Sequence, residues 1–138
     1  MAKTTELFLR NKKITVKGKE YSNYFVNCEI WGRTGEARII PKDSFGYQLL
    51  EAMFDKAHEQ GLEVILVRTV QRETNANGQS RIVKSYSAVY NDPETDQTME
   101  VSVKPYRASD EDWIANYITT TLKAEADDLG EEVENPAE

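Results

Sequence analysis

The sequence predicts a mostly β fold with helices, a small antiparallel barrel, and three observations carry that prediction. Apolar and polar residues alternate through several short runs, the period of a half-buried strand. Turn signals, such as Gly32-Arg33-Thr34-Gly35 and Asn77-Gly78, separate those runs. Helical spacing occurs in two stretches only, one from Phe45 to about Gln60 and one after Ser109.

Taken in order, Ile14 and Val16 alternate with Lys13, Thr15 and Lys17 and predict a first strand. The run Tyr24-Phe25-Val26-Asn27-Cys28-Glu29-Ile30-Trp31 predicts a second. Its period of two turns Tyr24, Val26, Cys28 and Ile30 to one face and Phe25, Asn27, Glu29 and Trp31 to the other. Gly32–Gly35 then reads as a tight turn into a third strand, Glu36–Ile40. Pro41 breaks that strand, and Asp43 or Ser44 offers an N-cap. Phe45, Leu49, Leu50, Met53, Phe54 and Ala57 form one apolar stripe, and Gly61 stands where a C-cap belongs.

Leu62–Val70 is β-branched and nearly continuous in hydrophobicity, as expected of a strand covered on both faces in its middle. Thr74–Ser80 is a hairpin loop with Asn77-Gly78 as its turn, leading into a strand over Arg81–Tyr90. Asn91–Asp96 is a further turn, and Thr98–Lys104 a last strand. Ser109 is the expected cap of the second helix, with Asp110, Glu111 and Asp112 opposing the helix dipole in its first turn. Trp113, Ile114, Tyr117, Ile118 and Leu122 make its apolar face.

Length and composition bound the function. The chain has 138 residues, which favours one domain, with 39% hydrophobic and 30% charged residues. No apolar run approaches the ~18 residues of a membrane span, so no membrane partner is expected. The N-terminus has no apolar core of a secretory signal. Cys28 is the only cysteine and His58 the only histidine, so an internal disulfide is excluded and a zinc site of the usual ligands is unsupported. These features predict a cytoplasmic protein without metal or cofactor. No phosphate-cradling loop and no Ser/His/Asp set is present, so the chain is not expected to be an enzyme.

The formal net charge of −7 conceals two unlike regions. Residues 1–107 hold 16 Lys+Arg against 14 Asp+Glu, a net of +2. Residues 108–138 hold one Lys against 10 Asp+Glu, a net of −9. The expected organisation is a basic N-terminal arm (1–12), a barrel domain (13–107), a C-terminal helix (108–123) and an acidic tail (124–138). That tail carries seven acids and no base, a composition that predicts disorder.

Strands, a single helix after the third strand and then a long hairpin follow the order of an OB-fold, a five-stranded Greek-key barrel, here with an appended strand and C-terminal helix. A ubiquitin-like or other α+β roll gives a similar string. Together with the acidic tail, the pattern resembles the single-stranded DNA-binding proteins, of the divergent kind carried by bacterial phages and conjugative plasmids. The resemblance covers roughly residues 6–105 in element order, plus the tail. It implies binding of single-stranded DNA during replication, recombination or transfer. Members of that family usually end in acidic residues followed by Pro-Phe, which docks partner proteins. This sequence ends Asn135-Pro136-Ala137-Glu138, so the acidity carries over and the partner anchor does not.

Single-strand binders need flat aromatic surfaces for bases and cations along the phosphates. Phe25 and Trp31, on the non-core face of one strand, are the stacking candidates. Cover by the C-terminal helix or by a second subunit is the plain alternative for both. Arg33 in the first turn and Arg38 on the next strand are candidate phosphate contacts, as are Arg68, Arg72, Arg81 and Lys84 on the stem of the long hairpin. Tyr86 shares a face with Lys84 and is either a stacking or a core residue. Lys12 and Lys13 in the basic arm either follow the nucleic-acid backbone, reach a neighbouring subunit or stay solvated. RNA suits the same surface as well as DNA. The competing reading is an acidic interaction protein or inhibitor, whose C-terminal quarter binds a basic host protein.

Overall fold

A computed structural model of the chain describes residues 2–121. The elements follow in the order β1 (Ala2–Val16), β2 (Lys19–Ile30), β3 (Arg33–Pro41), α1 (Phe45–Gln60), β4 (Val64–Thr74), β5 (Ser80–Asp92), β6 (Gln97–Pro105) and α2 (Ala108–Thr120). The strands close into an antiparallel barrel, β1-β2-β3-β6-β5-β4. The mostly β barrel with helices is therefore present, and it has six strands. The last strand is not an addition to a finished barrel: β6 pairs with β5 over residues 86–92 and with β3 at Ile39–Pro41, and so closes the circle. Without it, β3 and β5 would each present an open edge.

The long first strand makes closure feasible. Its first half pairs with β4 as far as Leu9↔Val64, and its second half pairs with β2 from Arg10↔Phe25 onward. Residues 2–12, read from sequence as an arm, are thus barrel strand. Leu7 and Leu9 point inward and are buried. The basic count of that stretch concealed the apolar run Leu7-Phe8-Leu9, of which Phe8 points outward.

Two hairpins turn on two residues. Lys17-Gly18 (φ 53° and 80°) joins Val16 to Lys19, and Trp31-Gly32 (φ 52° and 79°) joins Ile30 to Arg33. Positive φ at both positions is the geometry whose twist suits a tight hairpin. The β2–β3 turn is therefore Trp31-Gly32 and not Gly32–Gly35, so Trp31 leaves the strand face and Arg33 opens β3. A bulky residue in the left-handed region costs on the order of 1–2 kcal/mol. The β4–β5 loop is organised by Asn75, whose side-chain oxygen accepts from the backbone N–H of Asn77 (2.9 Å) and Gln79 (3.0 Å), with Gly78 at φ 81°.

At one end of the barrel lies α1. Asp43 accepts the Gly46 N–H (3.0 Å) at its start, and Gly61 at φ 68° closes it. Leu50, Met53, Phe54 and Ala57 are buried, whereas Phe45 and Leu49 stay exposed. The apolar stripe is narrower than the sequence suggests because Gly46 sits against Pro41. A Cβ at Gly46 would come within 2.5 Å of the proline ring, so the helix turns that side inward and positions 45 and 49 outward.

Toward the other end lies α2. Its N-cap is Arg107, two residues before the expected Ser109. Asp110 supports this start by accepting from the backbone N–H of Arg107 (2.9 Å) and of Arg38 (3.1 Å). Ile114 and Ile118 enter the core, each such burial stabilising the fold by about 1.5–3 kcal/mol. Leu122 and the acidic tail 124–138 lie outside the described residues. Among the described residues, no helix is long and apolar enough to cross a membrane.

Candidate nucleic-acid interface

The barrel interior changes character along its axis. One cross-strand row is Leu7, Leu66, Ala88 and Val101, all apolar. The next row toward α2 is Thr5, Arg68, Tyr86 and Val103, and it carries a cation. Arg68 is only 1% exposed. Its Nε donates to the Tyr86 hydroxyl (2.9 Å) and its Nη2 to Glu111 Oε2 (2.9 Å), while Tyr86 donates to the same carboxylate (2.5 Å). Burial pushes the Tyr86 hydroxyl above its ordinary pKa, the Arg68 charge opposes that shift, and the hydrogen bond to Glu111 adds to it. Arg68 and Tyr86 are therefore interior residues that anchor α2; Arg68 is closed off from solvent, whereas Tyr86 forms part of the wall of a cleft at the start of that helix. Position parity on β4 places Arg68 inward with Val64, Leu66 and Val70, which the surplus of arginines around the hairpin obscured.

Glu111 also borders a cleft of about 280 Å³ at the start of α2. Four cations line it: Lys42 after β3, Lys84 from β5, Lys104 from β6 and the N-cap Arg107. The remaining wall includes Ser85, Pro105, Ala108 and Tyr106. Tyr106 is 43% exposed. Arg38 and Arg107 place their guanidinium groups 4.6 Å and 4.9 Å from its ring centroid. The backbone fixes this arrangement, since the Tyr106 N–H donates to the Arg38 carbonyl (2.9 Å) and Asp110 accepts from both arginine N–H groups. The result is a half-exposed aromatic ring with two guanidinium groups against it and lysines beside it, the combination that stacks bases and tracks phosphates. Among the described residues, the one carboxylate lining the cleft, Glu111, is already engaged by Arg68 and Tyr86.

Of the residues singled out from sequence, Lys84 and Tyr86 line this cleft, and Arg38 lies over the Tyr106 ring beside it. Phe25 does not join them. It faces outward by parity but is 8% exposed, with the Lys12 ammonium 5.5 Å from its ring. It lines a different cleft, beside Leu9, Phe54 and the C-terminal end of α1. Lys12 also pairs with Glu36 (3.3 Å), and Arg81 with Glu73 (3.5 Å), both in solvent, where such pairs contribute about 0–1 kcal/mol. Lys13 is exposed on β1, and Arg72 is half-buried on β4. Trp31 and Arg33 are exposed at the β2–β3 end. Sequence reasoning missed Lys42, Lys104, Tyr106 and Arg107. The stretch Lys104-Pro105-Tyr106-Arg107 was the available signal, an aromatic residue bracketed by cations just past a strand. Among the described residues, no group of three or more His, Cys, Asp or Glu side chains is placed to hold a metal ion. Compared with known proteins, the chain matches no family model, no curated protein and no solved structure.

Proposed function

We propose that the barrel is OB-like and binds single-stranded nucleic acid, with single-stranded DNA as its target, through the cleft around Tyr106. The observation that carries this reading is the pair of guanidinium groups over the Tyr106 ring, with Lys42, Lys84 and Lys104 around it. Bases have π-faces that stack on tyrosine and on guanidinium planes, and the lysines meet the phosphates without reading sequence. The role is one of holding and protecting a strand during replication, recombination or transfer, with no catalytic step. An OB-like assignment is supported by the element order, with α1 after β3, and by a first strand shared between β2 and β4.

The test is a titration of labelled single-stranded DNA, duplex DNA and RNA of one sequence at two salt concentrations. The reading expects single-stranded DNA to bind best, with a slope of log affinity against log salt of about −0.7 per phosphate neutralised. Four contacts give a slope of roughly −3. Salt-independent binding, or a preference for duplex, contradicts the reading. A preference for RNA keeps the site and changes the target.

A further inference from the structure

Trp31 is 87% exposed and holds φ at 52°, in the left-handed region. Neither property favours the fold. A large side chain is strained there, and an indole in water gains nothing from burial. The other two-residue turn of this barrel carries Lys17 at the equivalent position, and asparagine is the residue such turns prefer. Among the described residues, no ring or cation stacks on the Trp31 indole. The tip is nevertheless held in place. The carbonyls of Cys28 and Glu29, just before it, accept from Trp113 Nε1 (3.1 Å) and from the Thr121 hydroxyl. An open aromatic side chain on a strained turn whose incoming strand is anchored, beside the exposed Arg33, has the parts of a base-stacking contact.

We infer that the Trp31 tip is a second stacking platform, and that one nucleic-acid strand bridges it and the Tyr106 cleft. The inference rests on the nucleic-acid reading of that cleft and adds a second contact and a minimum strand length. Arg33, next to the tip, and Arg38, stacked on Tyr106, lie five residues apart on β3, about 17 Å at ~3.3 Å per residue. A dinucleotide has one phosphodiester and cannot span that distance. A strand long enough to reach both platforms makes its second contact intramolecularly, so affinity rises in a step with length.

The test compares the full chain, its Trp31→Asn variant and its Tyr106→Ala variant on oligothymidylates from two to twenty nucleotides. Asparagine tolerates the left-handed conformation, so Trp31→Asn is expected to melt a few degrees above the wild type. Its affinity for the longest strand is expected to fall about tenfold, and the step in the length series to vanish. Tyr106→Ala is expected to weaken binding at every length. If Trp31→Asn melts below the wild type, the side chain serves the fold and the platform is refuted. The platform is equally refuted if its length series superimposes on that of the wild type while Tyr106→Ala binds weakly, an outcome that leaves the cleft standing. Absence of binding by the wild type at every length removes the nucleic-acid reading and the platform together.

Discussion

The indole of Trp113 fills the space that a side chain at Gly35 would need: a Cβ there would lie 2.6 Å from its Nε1. The same nitrogen donates to the carbonyl of Cys28, which is the partner of Gly35 across the β2–β3 ladder (3.1 Å). Close packing on one strand and a hydrogen bond to the other thus fix α2 to the barrel. Gly35→Ala should lower stability by about 1–3 kcal/mol through overpacking. Adding Trp113→Ala should cost less than the sum of the two single changes, because the clash disappears with the ring. Urea denaturation of the two single variants and the double variant measures this, and strict additivity would show that the residues are uncoupled.

Tyr106 is half in solvent and makes its ring contacts with two arginines, so its loss should spare the fold. Tyr106→Ala should weaken single-strand binding by about 1–3 kcal/mol, the range of one base-stacking contact. Stability should change by less than about 0.5 kcal/mol. Fluorescence anisotropy and thermal melting of the same sample separate the two effects.

Glu111 compensates a buried cation, so its charge matters more than its shape. Glu111→Gln preserves the volume and leaves Arg68 without that carboxylate. A hydrogen bond to a charged group contributes about 1.5–3 kcal/mol, and the variant should lose about that much stability. Chemical denaturation gives the value, and hydrogen exchange should rise first along α2. A variant as stable as the wild type would place the Arg68 charge elsewhere in the energetics.

Asp92 joins the β5–β6 turn to α1. Hydrogen bonds from the Gln60 side chain (2.9 Å) and the Glu94 N–H (2.9 Å), with the Lys56 ammonium at 3.5 Å, hold its carboxyl down to about 2 from an ordinary 3.8. A carboxyl whose pKa is lower in the folded state stabilises that state above its unfolded pKa. The contribution is lost as protons bind. Asp92→Asn should therefore melt below the wild type at pH 5–7, and the difference should close between about pH 4 and pH 2. A difference that persists unchanged to pH 2 would assign it to geometry and not to charge.

Truncation after Lys123 removes seven acids and moves the formal net charge from −7 to 0. Removing that negative charge should tighten binding of single-stranded DNA, most strongly at low salt, where screening is weak. Filter binding of the two forms at two salt concentrations reads this directly. If truncation instead abolishes binding to a basic protein partner and neither form holds DNA, the acidic-interaction reading replaces the present one.

Much of the fold was legible because the signals were local. Period-two alternation marked β2 and the second half of β1, a β-branched apolar run marked β4, Pro41 ended β3, and Gly61 closed α1. The Trp31-Gly32 turn was misplaced by one residue because Gly35 looked like a turn glycine. Its actual role is to leave room for Trp113, 78 positions away, which no local pattern encodes.

What the sequence determined by itself is the set of elements, their order and the division into a weakly basic body and an acidic C-terminal quarter. Those follow from dihedral preferences, side-chain periodicity and charge, each set by near neighbours. The tertiary structure alone decided which of those side chains remain available. Alternation assigns a residue to a face, but only closure of the barrel shows whether that face is covered. Closure brought β4 and β5 beneath α2, sealed Arg68 inside and left Tyr86 in the wall of the cleft. The end of β6 lies beside β3, so Tyr106 meets Arg38, 68 positions earlier in the chain.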